Sequence, residues 1–558
     1  MINFGFWRSS GIFAFFRLLR RGSRVALFHS SKGTGPMSMS AKIPQMIQRN
    51  SIVCPDHLAT THMGRQQTWG QFADRIARIA GGLQERGVEP GDRVAMLALN
   101  GDHYLEFLFA VSWAGAVFVP INIRLAPPEV IHWLSDSGSR TLIVDDTFVP
   151  MAEGVRDHLP KLKDVLYAGD KETPAGMTLF DDLAQSTPAA MSTRGGDDLA
   201  GLFYTGGTTG VSKGVMLSHA NLFNNAMVGG LSFEYGADPV YLHAAPMFHL
   251  ADGASTFGVT LMGGTHAYVP AFNPEATLKR ISEDRVTAVT LVPLMLNMMV
   301  NHPGVEDYDV SSLSTIAYGA SPMPQSVLKR AMALMPACQF VQGYGQTECS
   351  PLLTVLRPEC HVLDGPLSSK MASVGHPIIG MDVRILDERD EEVPRGEVGE
   401  ICTRGPNVML GYWNRPEKTA ETWRNGWHHT GDGGTMDEDG YIFVVDRLKD
   451  MIISGGENVY SAEVENAIYQ HPAVAECAVI GIPNEKWGEQ VHAIVRLKDG
   501  HSAEADNIIS HCHTLIAGFK CPRSVDLVTD PLPVSGAGKI LKIELRKPWW
   551  EGFEKQVN

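Results

Sequence analysis

The chain reads as an α/β protein, and three observations carry that reading. Apolar runs of strand length alternate with amphipathic helical stretches between residues 67 and 144, the pattern of parallel sheets covered by helices. A loop rich in glycine, threonine, serine and lysine, residues 205–214, follows another apolar run, placing anion-binding chemistry at a strand end. The 558 residues supply enough material for about two to four domains and a large core.

Composition narrows the functional classes. A hydrophobic share of 44% and a charged share of 20% describe a globular chain. The formal net charge of −15 argues against a nucleic-acid partner, because phosphate backbones select basic surfaces. A small anionic ligand stays admissible, since it needs only local cations. The eight cysteines show no paired spacing, so a reducing compartment and no disulfide frame are expected. Adjacent residues on a helix diverge, which sets aside His511-Cys512-His513 as a metal cluster.

Residues 1–36 differ from the rest. They hold Arg17, Arg20, Arg21 and Arg24 among Phe and Leu, and the first acidic residue is Asp56. The arginines interrupt any membrane-spanning run. Three readings stay open: a mitochondrial transit peptide, translation starting at Met37 or Met39, or a helix making weak contact with a membrane surface. A leader outside the fold and a cytoplasmic protein are the primary expectation, with a mitochondrial location if the leader is genuine.

In chain order, Gln67 to Trp69 ends a short strand, Phe72 to Leu83 is an amphipathic helix, and Gly91 to Leu97 turns into a buried strand. Tyr104 to Gly115 is helical, and the runs ending at Val119 and Val144 are strands. Leu199 to Tyr204 is a buried strand entering the loop Thr205-Gly206-Gly207-Thr208-Thr209-Gly210-Val211-Ser212-Lys213-Gly214. Glycines let backbone N–H groups approach an anion, and hydroxyls and an ammonium add donors. Composition alone fits a phosphate cradle and a flexible surface turn equally. A Walker A loop is excluded, because Ser212 precedes Lys213 and a glycine follows it. Leu217 to Leu231 reads as a helix, Tyr241 to His249 as a strand entering a Pro-containing turn, and Val286 to Leu291 as a strand.

The string Tyr204 to Gly214 resembles the phosphate-binding signature of the AMP-forming adenylating enzymes, which include acyl-CoA synthetases, luciferases and peptide-synthetase adenylation domains. Further motifs follow in that family's order from near Ile43 to the C-terminus. The resemblance implies a large N-terminal domain of α/β subdomains, residues 37–448, and a smaller, mobile α+β C-terminal domain, residues 449–558, hinged at Lys449. It implies ATP, Mg²⁺ and coenzyme A as ligands, a small carboxylic acid as substrate, and is compatible with a homodimer.

Residue by residue, the resemblance implies that Thr205, Gly206, Gly207, Thr208, Thr209, Gly210 and Lys213 cradle phosphate, and that Gly319, Ala320 and Ser321 lie against adenine. In Tyr344-Gly345-Gln346-Thr347-Glu348, Tyr344 stacks on the base, Thr347 meets the phosphate region and Glu348 holds Mg²⁺. Asp432 of Thr430-Gly431-Asp432 and Arg447 contact ribose. His249 borders the acyl pocket. Gly455, Gly456 and Trp487 lie on the coenzyme A side, and Lys539 of Gly538-Lys539 is the catalytic lysine. Read without the resemblance, Ser321 is a helix cap, Tyr344 a core aromatic, and Lys539 a solvated turn residue.

The resemblance further implies two half-reactions: acyl-AMP formation with release of pyrophosphate, then transfer to coenzyme A with release of AMP. The segments Ala244 to Thr256, Val292 to Met299 and Ser350 to Thr354 fall at the acyl pocket by analogy. They are largely apolar and carry no evident cation for a second carboxylate. A medium- or long-chain fatty acid is the favoured expectation; an aryl or arylpropenoic acid, or transfer to an acceptor other than coenzyme A, are the alternatives.

Overall fold

The computed structural model describes residues 41–205, 212–321, 323–447, 450–455, 457–484, 486–535 and 539–551. Among these, strands form four sheets. One sheet has eight strands, with Leu199–Thr205, Val117–Pro120, Arg93–Leu97, Thr141–Val144 and Asp164–Tyr167 paired in parallel at its centre. A second has nine, centred on the parallel run Thr265–Tyr268, Val240–His243, Ala288–Leu291, Thr315–Gly319 and Gln339–Gly345. Val117–Pro120, Thr141–Val144 and Ala288–Leu291 are fully buried, as their apolar runs in the sequence anticipate.

The helix Asp102–Ala114 shows why the two sheets form one core. It is apolar on every side and almost every residue is buried, so it cannot lie on a surface. Phe107 meets Phe118 of the first sheet edge-on, and Phe109 meets Phe257 of the helix Leu250–Met262. Its two buried carboxylates are paired: Arg65 Nε lies 2.9 Å from Asp102 and Arg75 Nε lies 2.6 Å from Glu106. Unpaired, each would cost several kcal/mol in such a layer (about 3–5).

The strands Asp382–Leu386, Gly399–Arg404, Trp427–Met436 and Ile442–Arg447 form an antiparallel sheet. Met436 pairs with Ile442 across the turn at Asp437 to Tyr441. The fourth sheet, with Val474–Asn484 and Gly488–Leu497 as its long pair, belongs to the smaller C-terminal domain and has its own core around Val479, Val491 and Ile468.

Two details differ from the sequence reading. After residue 450, where no strand is read from the sequence, Ile452–Ser454 pairs antiparallel with Glu457–Val459. Three-residue strands are too short to show a period. The helix read from Leu217 begins at His219, because Ser218 ends a strand and caps the helix: its side chain accepts from Asn221 N–H. Cys512 is buried on the helix Ala505–His513 while His513 is exposed, so that trio does not converge. No helix of the described residues is long and apolar enough to cross a membrane.

Candidate active site

Open α/β sheets bind ligands at the carboxyl ends of their strands. Here the strands ending at Gly319 and Gly345 deliver their last residues into a cavity of about 1410 Å³. At Gly319 the backbones of the two neighbouring strands approach so closely that an added Cβ would stand 2.2 Å from the Gly343 carbonyl oxygen. Only glycine allows that spacing. Ala320 then takes a φ of 70°, a left-handed turn that costs a non-glycine residue roughly 1–2 kcal/mol and directs the chain along the cavity wall.

The nucleotide-side residues read from the sequence converge on this cavity. Ala320, Ser321, Tyr344, Thr347 and Glu348 line it, joined by Asp432 and Arg447 from the antiparallel sheet. Asp432 and Arg447 face one another across paired strands, and Arg447 Nε lies 3.1 Å from Asp432 Oδ1. Tyr344 donates its hydroxyl hydrogen to Asp432 Oδ2 at 2.8 Å. Burial, reinforced by the Asp432 charge, pushes the Tyr344 phenol far above its ordinary range, so it stays a donor. The Asp432 charge holds the Arg447 guanidinium above its ordinary pKa.

Glu348 is anchored from one side. Tyr412 donates to Glu348 Oε1 at 2.8 Å, and Lys213 Nζ lies 4.4 Å from the centre of the Tyr412 ring. The second Glu348 oxygen has no hydrogen-bond donor among the described residues. A hard carboxylate oxygen facing a cavity fits Mg²⁺, which binds through few protein oxygens and completes its shell with phosphate and water.

Thr205 and Lys213 also line the cavity, paired across the mouth of a hairpin, so the loop between them springs from its rim. Gly206, Gly207, Thr208, Thr209 and Gly210 lie outside the described residues, as do Lys449 and Gly456. His249 lines the cavity as the N-cap of the helix Leu250–Met262, its Nδ1 accepting from Ala251 N–H at 3.2 Å. Burial and the positive Lys539 pull its pKa down to about 4, so it is neutral at pH 7.

Lys539 reaches the same cavity from the C-terminal domain. Burial and then Arg447 pull its pKa down to about 8, against the opposing charges of Asp432 and Glu348. Gly455 and Trp487, by contrast, are not among the cavity's residues. They pack on one another: Gly455 N–H donates to the Trp487 carbonyl at 2.8 Å, and a Cβ at Gly455 would stand 2.7 Å from the indole. In this arrangement the nucleotide side holds Lys539, and the Gly455 turn lies elsewhere.

The sequence reading missed Tyr412, Tyr235 and Thr290, and held Ser255 only within the segment Ala244 to Thr256, without singling it out. Tyr235, Ser255 and Thr290 line the cavity as buried hydroxyls, with Tyr235 Oη 3.1 Å from Ser255 Oγ and both 3.4 Å from Thr290 Oγ1. Each comes from a different element, and no local motif marks them.

A cavity at strand ends, lined by an aromatic, a paired carboxylate and guanidinium, a carboxylate anchored through one oxygen, and a lysine from a second domain, fits an adenylate-forming enzyme. Residues 47–413 match the model of the AMP-binding enzyme family, and residues 463–539 that of the AMP-binding enzyme C-terminal domain. The feruloyl-CoA synthase of Amycolatopsis sp. is 44% identical over 505 residues, 89% of this chain and 97% of the relative. The long-chain-fatty-acid–CoA ligase of Escherichia coli O6:H1 is 34% identical over 539 residues, 90% of this chain and 93% of the relative. Among solved structures, the anthranilate CoA ligase AuaEII in complex with anthranoyl-AMP matches with a TM-score of 0.84 at 27% identity, over 92% of this chain and 98% of that one. The chain belongs to the AMP-binding enzyme family and is an acyl-CoA ligase that works through an acyl-adenylate, using ATP, Mg²⁺ and coenzyme A.

Proposed function

We propose that the acid is a hydroxylated aryl or arylpropenoic acid of the ferulate type, the alternative that the sequence ranked second to a fatty acid. The observation that carries this reading is the hydroxyl trio Tyr235, Ser255 and Thr290 on the cavity wall. Their oxygens stand 3.1–3.4 Å apart, longer than the roughly 2.7–2.8 Å of a good O–H···O bond. Three hydroxyls carry more lone pairs than their own hydrogens can occupy. A ring hydroxyl or methoxy group can join them, whereas a methylene chain leaves them unanswered. The 44% identity to an enzyme named feruloyl-CoA synthase, against 34% to one named long-chain-fatty-acid–CoA ligase, supports the same choice.

In this reading the substrate carboxylate attacks the α-phosphorus of ATP, the bond to pyrophosphate breaks, and acyl-AMP is left. Tyr344 and the strip Gly319 to Ser321 flank adenine, and Asp432 and Arg447 take the ribose. Glu348 would hold Mg²⁺, which would supply charge to offset the approach of two anions. Lys539 places an ammonium where negative charge gathers on the phosphate. Rotation of the C-terminal domain about Lys449 then withdraws Lys539 and presents the Gly455 turn. The coenzyme A thiolate attacks the acyl carbonyl, and AMP leaves with the bonding pair. Neutral His249 accepts a ring beside it and offers no counter-ion of its own to a second carboxylate.

Pyrophosphate release over a panel of ferulate, 4-hydroxycinnamate, cinnamate, octanoate and palmitate tests the substrate. The hydroxylated acids are expected to exceed the fatty acids in kcat/KM by at least about 100-fold, since sites built for a hydroxyl reject ligands lacking it. A higher kcat/KM for octanoate or palmitate overturns the reading. Ser255→Ala is expected to narrow the ratio of 4-hydroxycinnamate to cinnamate by about tenfold, the value of one hydrogen bond.

A further inference from the structure

Two sets of contacts hold the segments on either side of Lys539, each with one partner that precedes the C-terminal domain. Ser535 and Lys539 are bonded to one another: Ser535 N–H donates to the Lys539 carbonyl at 2.7 Å, and Ser535 Oγ accepts from Lys539 N–H at 3.2 Å. Val534 and Ile540 bridge beside them. On one side Arg124, in the connection between the strand Val117–Pro120 and the helix Pro127–Ser137, donates from Nη1 to the Ser535 carbonyl at 2.9 Å. That bond joins residues 411 positions apart and reaches the residue bonded to Lys539.

The second grip lies on the other side of Lys539. Asp446, on the strand Ile442–Arg447, accepts at Oδ2 from both Ser461 N–H, at 2.5 Å, and Ser461 Oγ–H, at 2.6 Å. Lys542 Nζ in turn donates to Ser461 Oγ at 2.5 Å and pairs with Glu465 Oε1 at 2.8 Å. Asp446, Ser461, Lys542 and Glu465 are all shielded from solvent, with side-chain exposures of 16% and 15% for the last two. A charge-assisted network of this kind, cut off from water, fixes geometry more firmly than a surface pair. Asp446 adjoins Arg447, and Lys542 opens the helix Lys542–Trp550 three residues after Lys539, so the network ties the ribose side of the cavity to the segment bearing the lysine.

We propose that Arg124 and Asp446 are positioning residues of the adenylation step, holding Lys539 in the cavity through Ser535 on one side and Lys542 on the other. Both precede the hinge position and both grip residues beyond it. Rotation of the C-terminal domain about Lys449 breaks both grips, so neither contributes to thioester formation. The inference rests on the reading of Lys539 as the adenylation lysine. It assigns the work of keeping that flexible side chain in reach of ATP to residues that touch no substrate.

The test measures two half-reactions separately on the full chain: pyrophosphate release with ATP and Mg²⁺, and thioester formation from a supplied adenylate with coenzyme A. The acid is the panel member with the highest turnover, and the adenylate is its synthetic acyl-AMP. Arg124→Ala removes an exposed side chain and is not expected to disturb folding; Asp446→Asn keeps the shape and removes the charge. Each is expected to lower kcat for pyrophosphate release about tenfold, the order of one charge-assisted bond, and to leave thioester formation within about twofold. Arg124→Lys is expected to recover most of the loss. Equal losses in both half-reactions, or no loss in the first, overturn the proposal. Lys539→Ala measured alongside separates the two levels. If it spares pyrophosphate release, the reading of Lys539 fails and the clamp with it; if it alone impairs that step, only the clamp fails.

Discussion

Lys539→Ala is expected to lower pyrophosphate release by about 10²–10³-fold while leaving thioester formation from supplied acyl-AMP within about threefold. The size follows from the setting. The ammonium is buried in the cavity beside Arg447, Asp432 and Glu348, where a fixed charge acts on the phosphate with little water to screen it. The asymmetry follows from the second step, in which the thiolate attacks a neutral carbonyl and the leaving group is AMP. Equal loss in the two half-reactions would show Lys539 to be a structural residue. Its pKa adds a second signature. Burial and Arg447 bring it down to about 8, so the ammonium is present below that pH and is lost as pH rises through it. kcat/KM for ATP in the first half-reaction should therefore fall above about pH 8. Bound triphosphate favours the charged form, which moves the corresponding limb of kcat to higher pH. Lys539→Arg stays charged throughout and should lose the limb even where its rate is low. Persistence of the limb in that variant would assign it to another group.

The parts of the site that were legible are those packed into short segments. Tyr344, Thr347 and Glu348 fall within one strand end, and Thr430 to Asp432 within one strand, so their order alone brings them to a common edge. Lys539 was singled out only through the family resemblance, since alone it reads as a solvated turn residue, and the fold brings it to the cavity from the C-terminal domain. What stayed hidden are bonds between segments with no shared pattern. Tyr412 steadies Glu348 from 64 positions away, and Arg124 reaches Ser535 across most of the chain. Tyr235, Ser255 and Thr290 each look like an ordinary residue of a half-apolar stretch. Only the packing of three elements turns them into one polar patch, and that patch bears directly on the choice between an aryl and an aliphatic acid. Gly455 was placed on the coenzyme A side by the resemblance alone, with no backbone reason. The structure supplies one here, a φ of 65° against the Trp487 indole.

Asp432→Asn is expected to raise KM for ATP by about 10–100-fold, with kcat changed far less. Asp432 is 5% exposed and already engages Tyr344 Oη and Arg447 Nε, which fixes both carboxylate oxygens in the cavity wall. A carboxylate so held accepts ribose hydroxyls without reorganising, and hydrogen bonds to a charged acceptor are worth about 1.5–3 kcal/mol. Asparagine keeps the volume and one acceptor, but turns an amide donor towards either the Tyr344 hydroxyl or the Arg447 guanidinium. The loss falls on ground state and transition state alike, since ribose stays bound through the displacement, and so it appears in KM. The same change strips Arg447 of its main counter-charge, and Tm without ATP should drop. Adding Arg447→Gln removes the stranded cation, so the double variant should regain much of that Tm while ATP affinity falls further. This separation is the decisive feature. If ATP affinity returns together with Tm, Asp432 is only a brace for Arg447 and Tyr344, and the ribose is held elsewhere.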